Sequence, residues 1–228
     1  MKKILVVDIG GTNVKVMLSR AERRKFQSGL DLTARSLLEG LRSNLSDWRF
    51  DAVSVGFPAP VRNGRLVSDP KNLGPGWTRF NFEKAFKKPV RLINDAAMQA
   101  LGSYRGGRML FIGLGTGFGS ALVWKGTVLP LELGELPYLA DGSVEDRVGK
   151  NGLKRLGRKL WQQEVRRVVT QMQRAFVADY VVLGGGNAKL LDRLPPNSEL
   201  GHNRNAYLGG CRLWQQNSRT RRPRWTIL

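Results

Sequence analysis

One cysteine, Cys211, and one histidine, His202, stand in 228 residues, and each scarcity closes off a class of chemistry. A lone cysteine makes no internal disulfide and no thiolate cluster, which suits a reducing, cytoplasmic setting. A lone histidine excludes multi-histidine metal sites, so no zinc is expected. No apolar run approaches the roughly 18 residues that a membrane span requires. The opening run from Ile4 to Val7 is too short for a secretory leader and ends in Asp8-Ile9-Gly10-Gly11, with no small-residue cleavage site. Acidic residues are also scarce: 18 Asp and Glu against 38 Lys and Arg leave a net charge of +20. Such a surface either attracts polyanions or is simply a solvated basic face. No zinc finger, aromatic RNA-binding signature or helix-turn-helix accompanies the charge, so sequence-specific reading of nucleic acid is not expected.

What is present is a recurring turn. Lys3 to Ile9 reads as an apolar strand, Gly10-Gly11-Thr12-Asn13 as a glycine turn, and Val14 to Leu18 as a second strand. Glycines let main-chain N–H groups approach a phosphate closely, and Thr12 and Asn13 add side-chain donors, with Lys15 two residues on. Asp8, at the strand end, is placed to hold a magnesium ion, which favours one or two carboxylates with retained waters and phosphate oxygens. The theme returns in Met109 to Leu114, Gly115-Thr116-Gly117-Phe118-Gly119 and Ser120 to Trp124. In both places a strand follows the turn, where a dinucleotide-binding unit needs a helix.

Between the two turns lies Val90 to Ala97, VRLINDAA. An apolar strand hands over at Asn94-Asp95 to a run of helix formers. A carboxylate at a strand's carboxyl end projects into the crevice where open α/β sheets take ligands, although an aspartate there also makes a good helix cap. Asn94 offers a donor and an acceptor, which suits a hydroxyl-rich ligand. The proline-stiffened loop Asp69 to Trp77 brings Asn72 and Trp77 as residues to border a sugar. Gly102 to Arg108 reads as a linker, which divides the chain into an N-terminal lobe, 1–105, and a C-terminal lobe, 106–228.

These segments resemble a known family. DIGGTN at 8–13, GFPAPV at 56–61, NLGPGW at 72–77, IND at 93–95, LGTGFGS at 114–120, ELGE at 132–135 and VVLGGGNAKLL at 181–191 look like the ROK (repressor, open reading frame, kinase) sugar kinases, and among them the short polyphosphate-type glucokinases. The resemblance implies an α/β, actin-like (ribonuclease H-like) fold of two lobes, each a mixed sheet with flanking helices. It implies a kinase acting on the 6-hydroxyl of glucose or a related hexose, with ATP or polyphosphate as donor, magnesium as cofactor and a homodimer as assembly. By the same resemblance Asp95 is the general base and Asn94 holds neighbouring hydroxyls. Glu132 and Glu145 bind the sugar around its anomeric end, Gly10 to Thr12 and Gly115 to Gly117 grip phosphate, and Gly184, Gly185 and Gly186 lie near the adenosine. In the family's E-x-G-H pattern the last residue here is Glu135, which keeps an acceptor and loses a donor. A DNA-binding extension like that of the family's repressors is not expected, because the chain starts directly at the first strand. The alternative is a catalytically inactive sugar- or polyanion-binding protein of the same fold.

Beyond the second hairpin, a helix start is expected at Glu145 to Gly149. One long helix from about Leu153 to Ala178 follows, with Leu153, Leu156, Leu160, Val165, Val168, Val169, Met172 and Phe176 as its apolar stripe. Its basic residues are placed to receive a polyphosphate chain or to keep the surface solvated. A strand at Tyr180 to Leu183, a last helix from Asn203 to Gln216 that packs back on the N-terminal lobe, and a mobile tail from Arg219 to Arg224 complete the expectations.

Overall fold

The structure, a computed structural model, describes residues 2–138, 142–202, 204–218 and 220–228. In chain order the first half contains β1 (Ile4–Ile9), β2 (Asn13–Met17), β3 (Arg23–Gln27), α1 (Ala34–Leu45), β4 (Ala52–Phe57), the short hairpin β5 (Val61–Arg62) and β6 (Arg65–Leu66), α2 (Phe82–Phe86), β7 (Val90–Asn94) and α3 (Asp95–Ser103). The second half contains β8 (Met109–Leu114), β9 (Phe118–Trp124), β10 (Thr127–Leu131), α4 (Val144–Val148), α5 (Lys150–Ala175), β11 (Tyr180–Gly184), β12 (Ser198–Leu200), α6 (Asn205–Arg212) and β13 (Thr226–Ile227).

Two mixed sheets result. One has the order β3-β2-β1-β4-β7, with β1, β4 and β7 parallel and the β1–β2–β3 meander antiparallel. The other has the order β12-β11-β8-β9-β10-β13, with β8, β11 and β12 parallel and β9 antiparallel to both its neighbours. The central strands are apolar on both faces because each sheet is covered on both sides. Alternation along β1 sends Leu5, Val7 and Ile9 into one core and Ile4 and Val6 into another. Along β8, Leu110, Ile112 and Leu114 face one way, and Met109 and Phe111 the other.

The inner faces of both sheets share one core, filled by α3 and α6. The outer face of the first sheet is covered by α1 and α2, that of the second by α4 and α5. Glycine makes the inner layer thin enough. A Cβ on Gly209 would lie 1.8 Å from the Met98 carbonyl oxygen, and one on Gly102 would lie 1.8 Å from that of Asn205. Helix α6 also reaches the first sheet, where Ser54 of β4 donates to the Gly210 carbonyl at 2.7 Å.

Several expectations need correction. Gly102 and Ser103 are not linker but the end of α3, held helical because Gly102 is where α6 presses closest. The long helix is interrupted at Gly157, whose φ of 70° and ψ of 162° are outside helical space. That break shifts the buried stripe, so Leu160 is 53% exposed and Trp161 is buried in its place. The last helix is only Asn205–Arg212, and Asn203 lies outside the described residues. Arg219 lies outside them too, and the rest of the tail is tied down. The Arg224 N–H donates to the Gln215 carbonyl at 3.0 Å, and β13 then pairs in parallel with β10. Strands β10, β12 and β13 carry no long alternating pattern and went unread in the sequence.

Candidate active site

A cavity of about 670 Å³ opens between the two sheets, and the ends of β1, β7 and β8 converge on it. The strand-to-helix handover at Asn94-Asp95 divides its labour in a way that sequence left open. Asn94 is the cap of α3, its Oδ1 accepting the Ala97 N–H at 3.1 Å, and its Nδ2 donates to the Ala59 carbonyl at 3.4 Å. Asp95 is therefore released from capping and faces the cavity, with one oxygen accepting only the N–H of Ala96 at 2.8 Å. Burial, reinforced by the negative charge of Asp8, pushes the Asp95 carboxyl up to about 7.

The two glycine hairpins face each other. A Cβ on Gly11 would lie 3.5 Å from the Thr116 side chain and 3.2 Å from that of Asn72, so three separate segments meet at this point. The first turn is closed by the Gly10 N–H donating to the Asn13 carbonyl at 3.0 Å and is tied to the end of β3 by Ser28, whose hydroxyl donates to the Gly10 carbonyl at 2.6 Å. Gly10, Gly11, Thr12 and Asn13 line the cavity, and so do Gly115, Thr116 and Gly117. Lys15, opposite Asp8 in the β1–β2 register, places its ammonium 3.6 Å from the Asp8 carboxylate. Burial raises the Asp8 carboxyl, and Lys15 works against that rise.

Beside the second hairpin the glutamates gather. Glu132, Glu135 and Glu145 all line it with Asn72. Glu145, in the first turn of α4, accepts the Phe118 N–H at 2.8 Å and so ties that helix to the second hairpin. Burial raises the Glu132 carboxyl, and the charges of Glu135 and Glu145 add to the rise. A protein of net charge +20 thus presents six carboxylates to its cleft, Asp8, Asp69, Asp95 and these three glutamates, against the ammonium groups of Lys15, Lys71 and Lys150.

Two predicted positions fall elsewhere. Gly184 does not line the cavity; it ends β11 pressed against the Phe111 ring, where a Cβ would come within 2.4 Å, while Gly185 and Gly186 do line it. Trp77 is fully buried, packed among the rings of Phe57, Phe80 and Phe82, because the loop folds its one large aromatic side chain into the outer core. Sequence reading also missed residues that the fold brings in. Asn187 donates to the Gly115 carbonyl at 3.0 Å, joining the 184–186 loop to the second hairpin. Lys71 pairs with Glu135 across the cleft, and Lys150 follows the turn at Gly149. Asn187 lies inside the 181–191 motif and Lys71 beside the one at 72–77, but a loop's sequence does not say which side chain turns inward.

The model of the ROK family matches residues 4–130, more than half of the chain. The chain belongs to the ROK family. The ROK match takes in Asp8, both hairpins, Asn72 and Asp95 but stops before Glu132, Glu135 and Glu145. A polyphosphate glucokinase of Mycobacterium leprae is 23% identical over 214 residues, which cover 83% of this chain and 65% of that protein. A glucokinase of Pyrobaculum calidifontis is 28% identical over 140 residues, 57% of this chain and 46% of that one. The chain thus spans about two thirds and under half of the lengths of these two relatives. Among solved structures, the inorganic polyphosphate/ATP-glucomannokinase from Arthrobacter sp. strain KM superposes with a TM-score of 0.79 at 24% identity, covering 92% of this chain and 96% of that one. The likeness shows the ROK fold, an actin-like pair of lobes with a cleft between them.

Proposed function

We propose that the protein is a hexose kinase that transfers the terminal phosphoryl group of polyphosphate or ATP to the 6-hydroxyl of glucose or a closely related hexose. The observation that carries this reading is Asp95, a cavity-facing carboxyl tuned to about 7, standing between two phosphate-sized glycine hairpins and a carboxylate-rich end suited to hydroxyls. A base whose pKa lies near neutrality combines availability with proton affinity. In the reaction the sugar's 6-oxygen attacks the terminal phosphorus, its proton passes to the Asp95 carboxylate, and the bond from that phosphorus to the donor's bridging oxygen breaks. Phosphoryl transfer asks mainly for positioning and charge neutralisation, which the hairpins' N–H groups and Lys15 and Lys150 supply from this chain.

Magnesium fits the donor set on one condition. Among the described residues no three His, Cys, Asp or Glu side chains cluster to hold a metal by themselves. Asp8 alone, beside the first hairpin, matches an ion that takes a carboxylate or two, waters and the donor's own phosphates. Bound there, magnesium would neutralise charge on the phosphates, and Asp8 and Asp95 would repel each other less.

The names of the relatives support a sugar kinase and both candidate donors. The single cysteine supports a cytoplasmic setting, and the family resemblance supports a homodimer, which a mass measurement in solution would check. The deciding experiment is a coupled assay for hexose 6-phosphate with magnesium, run with ATP and with polyphosphate over glucose, mannose and other hexoses. Turnover with either donor establishes the kinase and names the donor. Folded protein that binds sugar and turns over none of them would instead be a binding protein on a kinase fold.

A further inference from the structure

Lys71 belongs to none of the motif positions, yet the fold presents it to the cleft with unusual firmness. Its loop is pinned by Asp69, whose carboxylate accepts the N–H groups of Gly76, Trp77 and Thr78 at 2.7, 2.8 and 3.0 Å. Leu73 and Trp77 anchor the same loop in the core, and the Gly74 N–H donates to the Leu32 carbonyl at 3.0 Å. From the other lobe, Glu135 ends a 3₁₀ turn (Leu133–Glu135) that is fixed by buried Leu133 and by the Leu133 N–H donating to Ser120 Oγ at 3.2 Å. The Lys71 ammonium donates to Glu135 across the cleft, and both side chains line the cavity that holds Asp95.

The glutamates by themselves make the chemistry of that end one-sided. Ionised carboxylates only accept hydrogen bonds, whereas every sugar hydroxyl offers a proton and also two lone pairs. Glu132, Glu135 and Glu145 can take the protons, while the oxygens need donors, for which the lining offers the neutral Asn72 amide and the charged Lys71 ammonium. An ammonium has three N–H donors, and Glu135 engages one. Lys71 is the cation that faces these glutamates, paired with Glu135 and within reach of the charges of Glu145 and Glu132, whereas Lys15 is beside Asp8.

We propose that Lys71 is a sugar-binding, specificity-determining residue: oriented by Glu135, its ammonium donates to a hydroxyl oxygen of the hexose at the glutamate-lined end. The inference deepens the hexose-kinase reading and rests on it. It differs in readout, because sugar binding is measurable without turnover.

The test is calorimetric titration of glucose and of its 1-, 2-, 3- and 4-deoxy analogues into the wild type, K71M, K71E and the reversed pair K71E/E135K. An ion pair this exposed adds little to stability, so melting curves should stay together and mark all four proteins as folded. K71M should weaken glucose binding about tenfold, the loss expected for a hydrogen bond from a charged donor. One deoxy analogue should bind the wild type about tenfold more weakly than glucose and K71M no more weakly than glucose. The reversed pair should regain at least fivefold over K71E. In turnover, KM for the sugar should rise with kcat within about twofold. Glucose binding by K71M within twofold of wild type, or an unchanged ranking of the deoxy sugars, would overturn the assignment. Wild type that binds glucose but transfers no phosphoryl group refutes the kinase alone, with Lys71 still judged by the titrations; wild type that binds no hexose refutes both.

Discussion

At the residue scale the chemistry turns on Asp95. Its carboxyl, lifted to about 7 chiefly by burial, must be ionised to accept a proton. Hence kcat/KM should climb roughly tenfold per pH unit below about 7 and level off above it, as a pH–rate profile would show. Asp95→Asn should lower kcat by about 10²- to 10⁴-fold while glucose affinity changes little; an equal kcat would remove Asp95 from the mechanism. Stability carries the opposite signature. Between the ordinary value of 3.8 and about 7 the folded chain keeps a proton that the unfolded chain releases. Asp95 therefore contributes stability that is complete below about 4 and lost as the pH rises through about 7. Melting curves should place Asp95→Asn above the wild type at pH 8 and level with it at pH 4.

At the scale of elements, two glycines test two different physical claims. Gly157 has open space where a Cβ would go, but its φ of 70° and ψ of 162° suit glycine almost alone. Gly157→Ala should cost about 1–3 kcal/mol, or it should straighten α5 and bury Leu160 in place of Trp161. Gly209 has ordinary backbone, but a Cβ would strike the Met98 carbonyl oxygen. Gly209→Ala should push α6 from α3 at about 3 kcal/mol, a Tm fall of roughly 6–12 °C by calorimetry. The same contrast explains what the sequence could disclose. Both glycine hairpins and the strand-to-helix step at Asp95 are local patterns, and their places in the fold follow from periodicity and turn chemistry. The break at Gly157 hides inside a run that reads as helix. Trp77 looks like a loop aromatic because only tertiary packing supplies the Phe57, Phe80 and Phe82 rings around it. Lys71 gains its role from Glu135, 64 residues away, a separation that no spacing rule bridges.

At the scale of the whole molecule, charge is unevenly distributed. The exposed faces of α5 carry Lys154, Arg155, Lys159, Arg166, Arg167 and Arg174, while its single acidic side chain, Glu164, is buried and paired with Arg147 at 3.4 Å. Long polyanions should feel this face and short ones much less. Raising salt from 50 to 500 mM should lower affinity for long-chain polyphosphate at least tenfold, by counter-ion release, and affinity for ATP by a smaller factor. Lys154→Glu with Arg166→Glu should flatten that salt dependence; parallel salt slopes for both donors would make the charge a matter of solubility only.

The inner layer shared by both sheets also has a bearing on synthesis. Val6, Met17 and Ala52 share their core cluster with Ala206 and Leu213, and Ser54 finds its carbonyl partner in Gly210, 156 residues later. While the ribosome is still making the second half, the first sheet has its outer helices and α3 but lacks the part of its inner layer that α6 supplies. The nascent chain should therefore remain a client for chaperones until α6 has left the exit tunnel, and arrest before that point should yield protease-sensitive, aggregation-prone chains.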